Sequence, residues 1–158
     1  MEHTVAASIT ESSEFIQPGD LNSLGFLFGG KLVSWMDKVG AISAIKHVLG
    51  TVVTVSIDNL IFKKPVTNGS ILTIRASVNR AFAHSMEVGV VATTLAPGHE
   101  APEHVCTAYF TFVALDKDGK PKAIAPIVPE TEKEKRRYDQ ALIRRNHRLS
   151  LAEQLGKT

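Results

Sequence analysis

Cysteine is nearly absent from this chain. Cys106 is the single one among 158 residues, so no internal disulfide can form and no thiolate metal cage can be built. A reducing compartment, the cytoplasm, is the expected location. Long apolar runs are missing as well: none approaches the ~20 residues that a membrane helix requires, and no membrane partner is expected. The N-terminal stretch MEHTVAASITESSEF lacks the basic-then-apolar layout of a secretory signal. Excess charge is small, a net +2, too little for a dedicated nucleic-acid binder. No internal repeat, low-complexity stretch or linker divides the chain.

What remains is the composition of one folded domain. Hydrophobic residues make up 44% and charged residues 22%, enough to build a core and too apolar for disorder. The charge is unevenly placed. Residues 130–158 carry 8 Lys and Arg against 5 acids, and residues 1–129 carry 10 against 11, so the basic excess belongs to the C-terminal segment.

Thr4 to Ile16 is mildly β-like, and the turn residues of Pro18–Gly25 mark a loop. Residues 29–49 read as a helix capped by Gly50. After it the apolar period becomes two. Residues 51–62, 71–79, 86–95 and 105–115 are rich in Val, Ile, Thr and aromatics, and turn signals such as Asn68-Gly69 and Pro97-Gly98 separate them. Four strands joined by short connections predict an antiparallel sheet. Thr131 with Glu134 fits a capping box and starts a last helix, running to about Leu149. The fold class is therefore α+β, an antiparallel sheet around one long helix with a C-terminal helix. Its open edge or face needs covering, and a second copy of the chain is the expected cover.

On a helical wheel Lys31, Ser34 and Lys38 share one side of the long helix, with Val33, Met36, Gly40, Ala44 and His47 roughly opposite. Asp37 falls at the edge of that apolar face. Two readings stand: a carboxylate reaching solvent or a capping partner, or a desolvated carboxylate kept for chemistry. Ahead of the helix, Gly25 to Lys31 spells G-x-x-x-x-G-K. A phosphate-binding loop is rejected, because Leu32 stands where Mg²⁺ needs Ser or Thr and no buried strand precedes it. Gly29-Gly30 suits a helix N-terminus whose bare amides face an anion or a developing oxyanion.

Other constellations carry less. Pro102 breaks helical metal-ligand geometry in His99–His104, and no metal site is expected. His47 lies ~15 Å along the helix from Asp37, too far for a dyad. Cys106 reads as an inert core thiol, and no G-x-S-x-G elbow is present. Arg136-Arg137 and Arg144-Arg145 form either a solvated helix face or an anion-binding stripe.

The run Pro18-x-Asp20-x-Asn22-x-x-Gly25-x-Leu27-Phe28-Gly29-Gly30-x-Leu32-x-x-Trp35-Met36-Asp37 closely resembles the active-site loop and helix of hotdog-fold acyl-CoA thioesterases of the cytosolic acyl-CoA hydrolase type. Ser56-Ile57-Asp58, Phe62-x-x-Pro65-Val66-x-x-Gly69, Ser85-Met86-Glu87-Val88 and Pro129-Glu130-Thr131-Glu132 extend the resemblance over roughly residues 10–150. It implies a hotdog domain at residues 1–129, followed by a charged helix and tail at 130–158. It also implies hydrolysis of acyl-CoA to CoA and a carboxylic acid, with coenzyme A entering only as part of the substrate and no other cofactor. The family's site is composite, which carries Asn22 and the partner subunit's Asp37 over as the catalytic pair, in a dimer or a trimer of dimers. Gly29, Gly30, Ser85 and Lys64 are the expected oxyanion and substrate contacts. Two departures, Ser70 where Asp is usual and Phe82-Ala83-His84 where Gly-Arg-Thr is usual, fall near the expected path of coenzyme A.

Three functional expectations follow. Asp37 acts as general base on water, or attacks directly through a mixed anhydride. The acyl chain lies along the central helix against Trp35 and Met36, and the C-terminal basic excess, with Lys63 and Lys64, meets the CoA phosphates. The alternatives are a non-catalytic acyl-CoA-binding hotdog and a hotdog dehydratase. The latter is disfavoured because Phe28 stands where such enzymes often carry His.

Overall fold

The computed structural model describes residues 3–157. A one-turn helix α1 (Val5–Ser8) precedes strand β1 (Thr10–Phe15), and a 3₁₀ turn at Pro18–Asp20 leads to the long helix α2 (Gly29–Val48). Strands β2 (Thr51–Asp58), β3 (Ile71–Ala81), β4 (Ser85–Leu95) and β5 (Glu103–Leu115) follow, and α3 (Glu132–Gln154) closes the chain. The five strands form one antiparallel sheet in the order β1-β3-β4-β5-β2, so β1 and β2 are its edges.

Alternation divides the sheet into two faces. Leu72, Ile74, Ala76 and Val78 of β3, Met86, Val88, Val90 and Ala92 of β4, and Phe110 and Phe112 of β5 point inward and are buried. Against them α2 packs Leu32, Met36, Val39, Gly40, Ser43, Ala44 and His47, the spacing of one helical face. That face is rotated from the one read off the wheel: Val33 is only half-buried, while Leu32, Val39 and Ser43 are inside. Gly40 marks a close approach, since a Cβ there would meet Phe112 and Val90 at 3.3 Å.

Several boundaries differ from the sequence reading: Val5–Ser8, read as mildly β-like, forms a helical turn capped by Thr4, and the bounds of β3, β4 and β5 shift by one or two residues. The left-handed cap of α2 is Leu49 (φ 49°), whose amide donates to the Ile45 carbonyl, and Gly50 follows it. Strand β2 stops at Asp58 because Asn59 turns to φ 58°, a conformation Asn tolerates better than branched residues. Helix α3 starts where the capping box predicts and runs on to Gln154. Thr131 Oγ1 accepts from the Glu134 amide at 3.2 Å, while Glu134 accepts from the amides of Thr131 and Glu130. Those donors hold the Glu134 carboxyl below the usual range.

α3 lies on the outer face of the sheet, and its arginines hold it there. Arg144 donates to both oxygens of Glu87, at 3.0 and 2.7 Å, and its guanidinium stacks 3.6 Å from the Tyr109 ring centre. Arg145 donates to Ser85 Oγ at 3.2 Å and lies over Phe82. Arg148 pairs with Asp58 at 2.6 Å. These three arginines are therefore engaged inside the chain, so Arg144-Arg145 is not the solvated helix face that is one reading of the sequence.

Candidate active site

The loop before α2 is built from short-range polar contacts. Gln17 and Asp20 cap the 3₁₀ turn reciprocally, and Lys31 pairs with Asp20, which holds that carboxyl below its ordinary range. Asn22 closes the next turn. Its side-chain oxygen accepts from the amides of Leu24 (2.9 Å) and Phe26 (3.1 Å), and its own amide donates to the Phe26 carbonyl at 2.7 Å. With the oxygen engaged twice, the Nδ2 group is the end left over, and no described residue accepts from it. The Leu27 amide donates to the Val66 carbonyl, and the Phe28 amide to that of Asp20, which fixes the loop against its surroundings.

At the start of α2 no side chain caps the helix, so the Gly29 and Gly30 amides are free in the sense required for anion binding. Space is tight there. A Cβ on Gly30 would lie 2.8 Å from the Phe28 ring, and one on Gly29 would lie 3.3 Å from Phe62.

A cavity of about 320 Å³ opens at this helix end, lined by Asn22, Phe26, Gly29, Leu32, Phe62 and Lys64 among others. It brings together Asn22, Gly29, Lys63 and Lys64 of the residues singled out from the sequence. Lys64 is paired with Glu103 across the rim, and that hydrogen bond holds the Glu103 carboxyl below its usual range. Ser85 stands elsewhere, at the start of β4 under α3, where Arg145 occupies its hydroxyl. Met36 is fully buried with its sulfur 3.5 Å from Cys106 Sγ. It is therefore core, and no acyl chain can lie against it in this packing.

Asp37 is also apart from the cavity. It lies two turns further along α2 than Gly29, ~12 Å at 1.5 Å per residue. Thr54 of β2 donates its hydroxyl to Asp37 Oδ1 at 2.6 Å, leaving Oδ2 unengaged by any described residue. The sequence reading missed Thr54. The edge strand that carries Thr54 exposes Val53, Val55 and Ile57, and Ile61 just beyond it is exposed as well. Of the remaining candidates, His104 is bound to Thr107 at 2.8 Å within β5. No group of three or more metal-type side chains converges among the described residues.

A model of the thioesterase superfamily matches residues 24–98. An uncharacterized acyl-CoA thioester hydrolase of Bacillus subtilis is 38% identical over 133 residues, which cover 83% of this chain and 76% of that protein. The chain belongs to the hotdog-fold acyl-CoA thioesterase family. Mouse acyl-coenzyme A thioesterase 11 is 36% identical over 140 residues, 88% of this chain. This thioesterase-family chain spans about a quarter of the length of that protein and of mouse acetyl-coenzyme A thioesterase.

Among solved structures, a hexameric apo acyl-CoA thioesterase superposes with a TM-score of 0.92 at 35% identity, covering 96% of this chain and 97% of that one. The acyl-CoA hydrolase of Staphylococcus aureus, solved with butyryl-CoA, CoA and CoA disulfide, superposes at 0.88 and 35% identity, covering 98% and 96%. That hydrolase has also been solved with an aspartate, an asparagine or a threonine changed to alanine. The three positions stand in the order Asn, Asp, Thr at intervals of 15 and 17 residues, the intervals that separate Asn22, Asp37 and Thr54 here.

Proposed function

We propose that this chain hydrolyses acyl-CoA thioesters, at a site completed when the Asn22 cavity of one copy meets Asp37 and Thr54 of a second. One observation carries the reading. Asp37 stands ~12 Å along a rigid helix from Gly29, which shares its cavity with Asn22, yet Asp37 is bonded to Thr54 on an edge strand with exposed apolar side chains, where another copy can deliver the missing half. The equal spacing of the three altered positions in the S. aureus hydrolase supports the same trio. The acyl carbonyl is held by the Asn22 Nδ2 donor and by the amides at Gly29 and Gly30, which stabilise the negative oxygen of the tetrahedral intermediate. Asp37, oriented by Thr54, takes a proton from water as the water oxygen bonds to the carbonyl carbon. The C–S bond then breaks, and the proton passes to the departing thiolate. Coenzyme A enters as substrate and leaves as product, and no further cofactor takes part.

Lys63 and Lys64 at the cavity rim are the proposed contacts for the phosphorylated end of the substrate. Residues 1–129 supply the catalytic body, and α3 with its tail packs outside it. Hexameric relatives and the exposed apolar side chains of α3, Ile143 and Leu149 among them, support a trimer of dimers. The mouse relative named a cytosolic hydrolase supports a cytosolic location. Among the described residues no helix is long and apolar enough to cross a membrane.

Acyl-CoA hydrolysis followed by thiol release tests the reading. Asp37→Asn folds normally and loses ~10²-fold or more in kcat, the contribution of a general base. Mixing inactive Asn22→Ala and Asp37→Asn proteins restores activity, because some mixed dimers contain one intact site. Near-normal turnover by Asp37→Asn removes Asp37 from the reaction, and absence of complementation refutes the shared site. Label from ¹⁸O-water recovered in Asp37 after a single turnover replaces the general-base route with the anhydride.

A further inference from the structure

Strand β2 carries an irregularity at its centre. Thr54 pairs with Phe112 of β5, yet Ser56 pairs with Thr111, so Val55 is an extra residue and the strand bulges there. Cross-strand partners share a face of the sheet. Phe112 is an inner residue, so Thr54 points inward and reaches Asp37 on α2. Tyr109 faces α3, as Arg144 stacked on it shows, so its partner Asp58 points outward. Thr54 and Asp58 are four residues apart, and in a regular strand they would share one face. The bulge reverses the alternation between them and lets one strand engage both helices.

The outward half is tied down. Asp58 Oδ1 accepts from Ser56 Oγ at 3.1 Å, and Oδ2 accepts from Arg148 of α3 at 2.6 Å, with both side chains about three-quarters buried. Ser56 is the first residue after the bulge. A continuous path thus runs from α3 through Arg148, Asp58 and Ser56 to the bulge, and from the bulge through Thr54 to Asp37. β2 is an edge strand, with neighbours from its own chain on one side only, so little else holds the bulge in register.

We propose that Arg148 and Asp58 are positioning residues for the reaction, holding the β2 bulge so that Thr54 aims at Asp37. This rests on the functional reading above. It gives the C-terminal helix a role in catalysis without touching substrate, and it explains why a basic helix keeps an arginine turned onto the sheet instead of toward a phosphorylated ligand.

The test is a double-mutant cycle on acyl-CoA hydrolysis by the full-length protein. Arg148→Gln lowers kcat roughly tenfold or more with KM little changed, because a misaimed catalytic group costs turnover before binding. Arg148→Lys, which keeps the charge, recovers part of the loss. In a Thr54→Val background Arg148→Gln costs little further, since both changes remove the same alignment. Arg80→Gln is the matched control: Arg80 ties α3 to the other side of the sheet through the Tyr138 carbonyl at 3.3 Å. That variant lowers the melting temperature and leaves kcat unchanged. The inference is overturned if the Arg148 and Thr54 losses add in full, or if Arg148→Gln matches the control. If Asp37→Asn remains active in the same assay, the functional reading fails first, a separate outcome.

Discussion

Replacing Arg144 by methionine discriminates between two uses of a C-terminal arginine. If the tail meets substrate phosphates, the loss appears in KM. If Arg144 is a structural clamp, as its contacts indicate, the loss appears in stability. Its guanidinium gives Glu87 two hydrogen bonds at 3.0 and 2.7 Å, and the Glu87 residue is only 3% exposed. Among the described residues Asn79 Nδ2 supplies the other side-chain hydrogen bond to that carboxylate, at 2.9 Å. Truncation to Met keeps the apolar stem over Tyr109 but leaves a buried carboxylate with a single neutral donor. Breaking one side of such a pair costs about 3–5 kcal/mol. For a chain of this size that lowers Tm by roughly 6–20 °C.

Urea unfolding and thermal melts of wild type and Arg144→Met read the stability, while KM for an acyl-CoA reads the substrate contact. The expected pattern is a large stability loss with KM within about twofold of wild type at a temperature where both are folded. Adding Glu87→Gln to Arg144→Met recovers more than half of the loss, because the uncompensated charge goes while an oxygen remains for Asn79. A stability loss under about 1 kcal/mol, the scale of an exposed pair, accompanied by a tenfold rise in KM would refute the clamp and return the arginine to the substrate.

Two further outcomes follow from titratable groups. His47 is buried with Nε2 donating to the Ala125 carbonyl at 2.8 Å, and burial holds its pKa below the ordinary 6.5. The unfolded ring then binds the proton more readily than the folded one, so the His47 contribution is full above pH 6.5 and is lost as pH falls below it. Tm therefore drops on acidification through that window, and the drop is smaller in His47→Gln; an identical drop in the variant refutes the assignment. Cys106 is fully buried, and burial pushes its thiol up to about 11. At pH 8 a maleimide labels it only when denaturant unfolds the chain, and rapid stoichiometric labelling of the native protein would contradict that burial.

The parts of this molecule legible in the sequence are those with a period. The alternation in β3, β4 and β5 follows from burial of one face and is read directly, whereas for α2 the sequence shows a one-sided spacing but misplaces the face by part of a turn. The loop motif around Asn22 was legible because its turn residues are tied to each other locally. Thr54 was not, since a threonine among the valines of β2 is also what an ordinary strand contains. Its role depends on which residue of α2 lies opposite, and that is set by long-range packing. The contacts of the tail arginines were hidden for a related reason. A basic helix reads as solvated or anion-binding from its own residues, and only the register that buries Glu87 opposite Arg144 reveals the third use.

The bulge in β2 bears on why catalysis in the proposed arrangement requires two copies. A thioester carbonyl is a small target, and its activated water and its oxyanion donors must sit within about 3 Å of the reacting atoms. Asn22 and the amides of Gly29 and Gly30 occupy one end of α2, and Asp37 stands two turns along it. A helix cannot fold back on itself to close that ~12 Å gap. Shortening it would also break the burial spacing that seats Met36 and Gly40 on the sheet. The open edge offers the other solution, because a second strand can pair along β2 and bring its own helix end up to Asp37. The residues that orient the carboxylate and those that recruit the second copy then lie on one strand. Any change that disturbs β2 is expected to affect assembly and turnover together, whereas a change at Asp37 affects turnover alone.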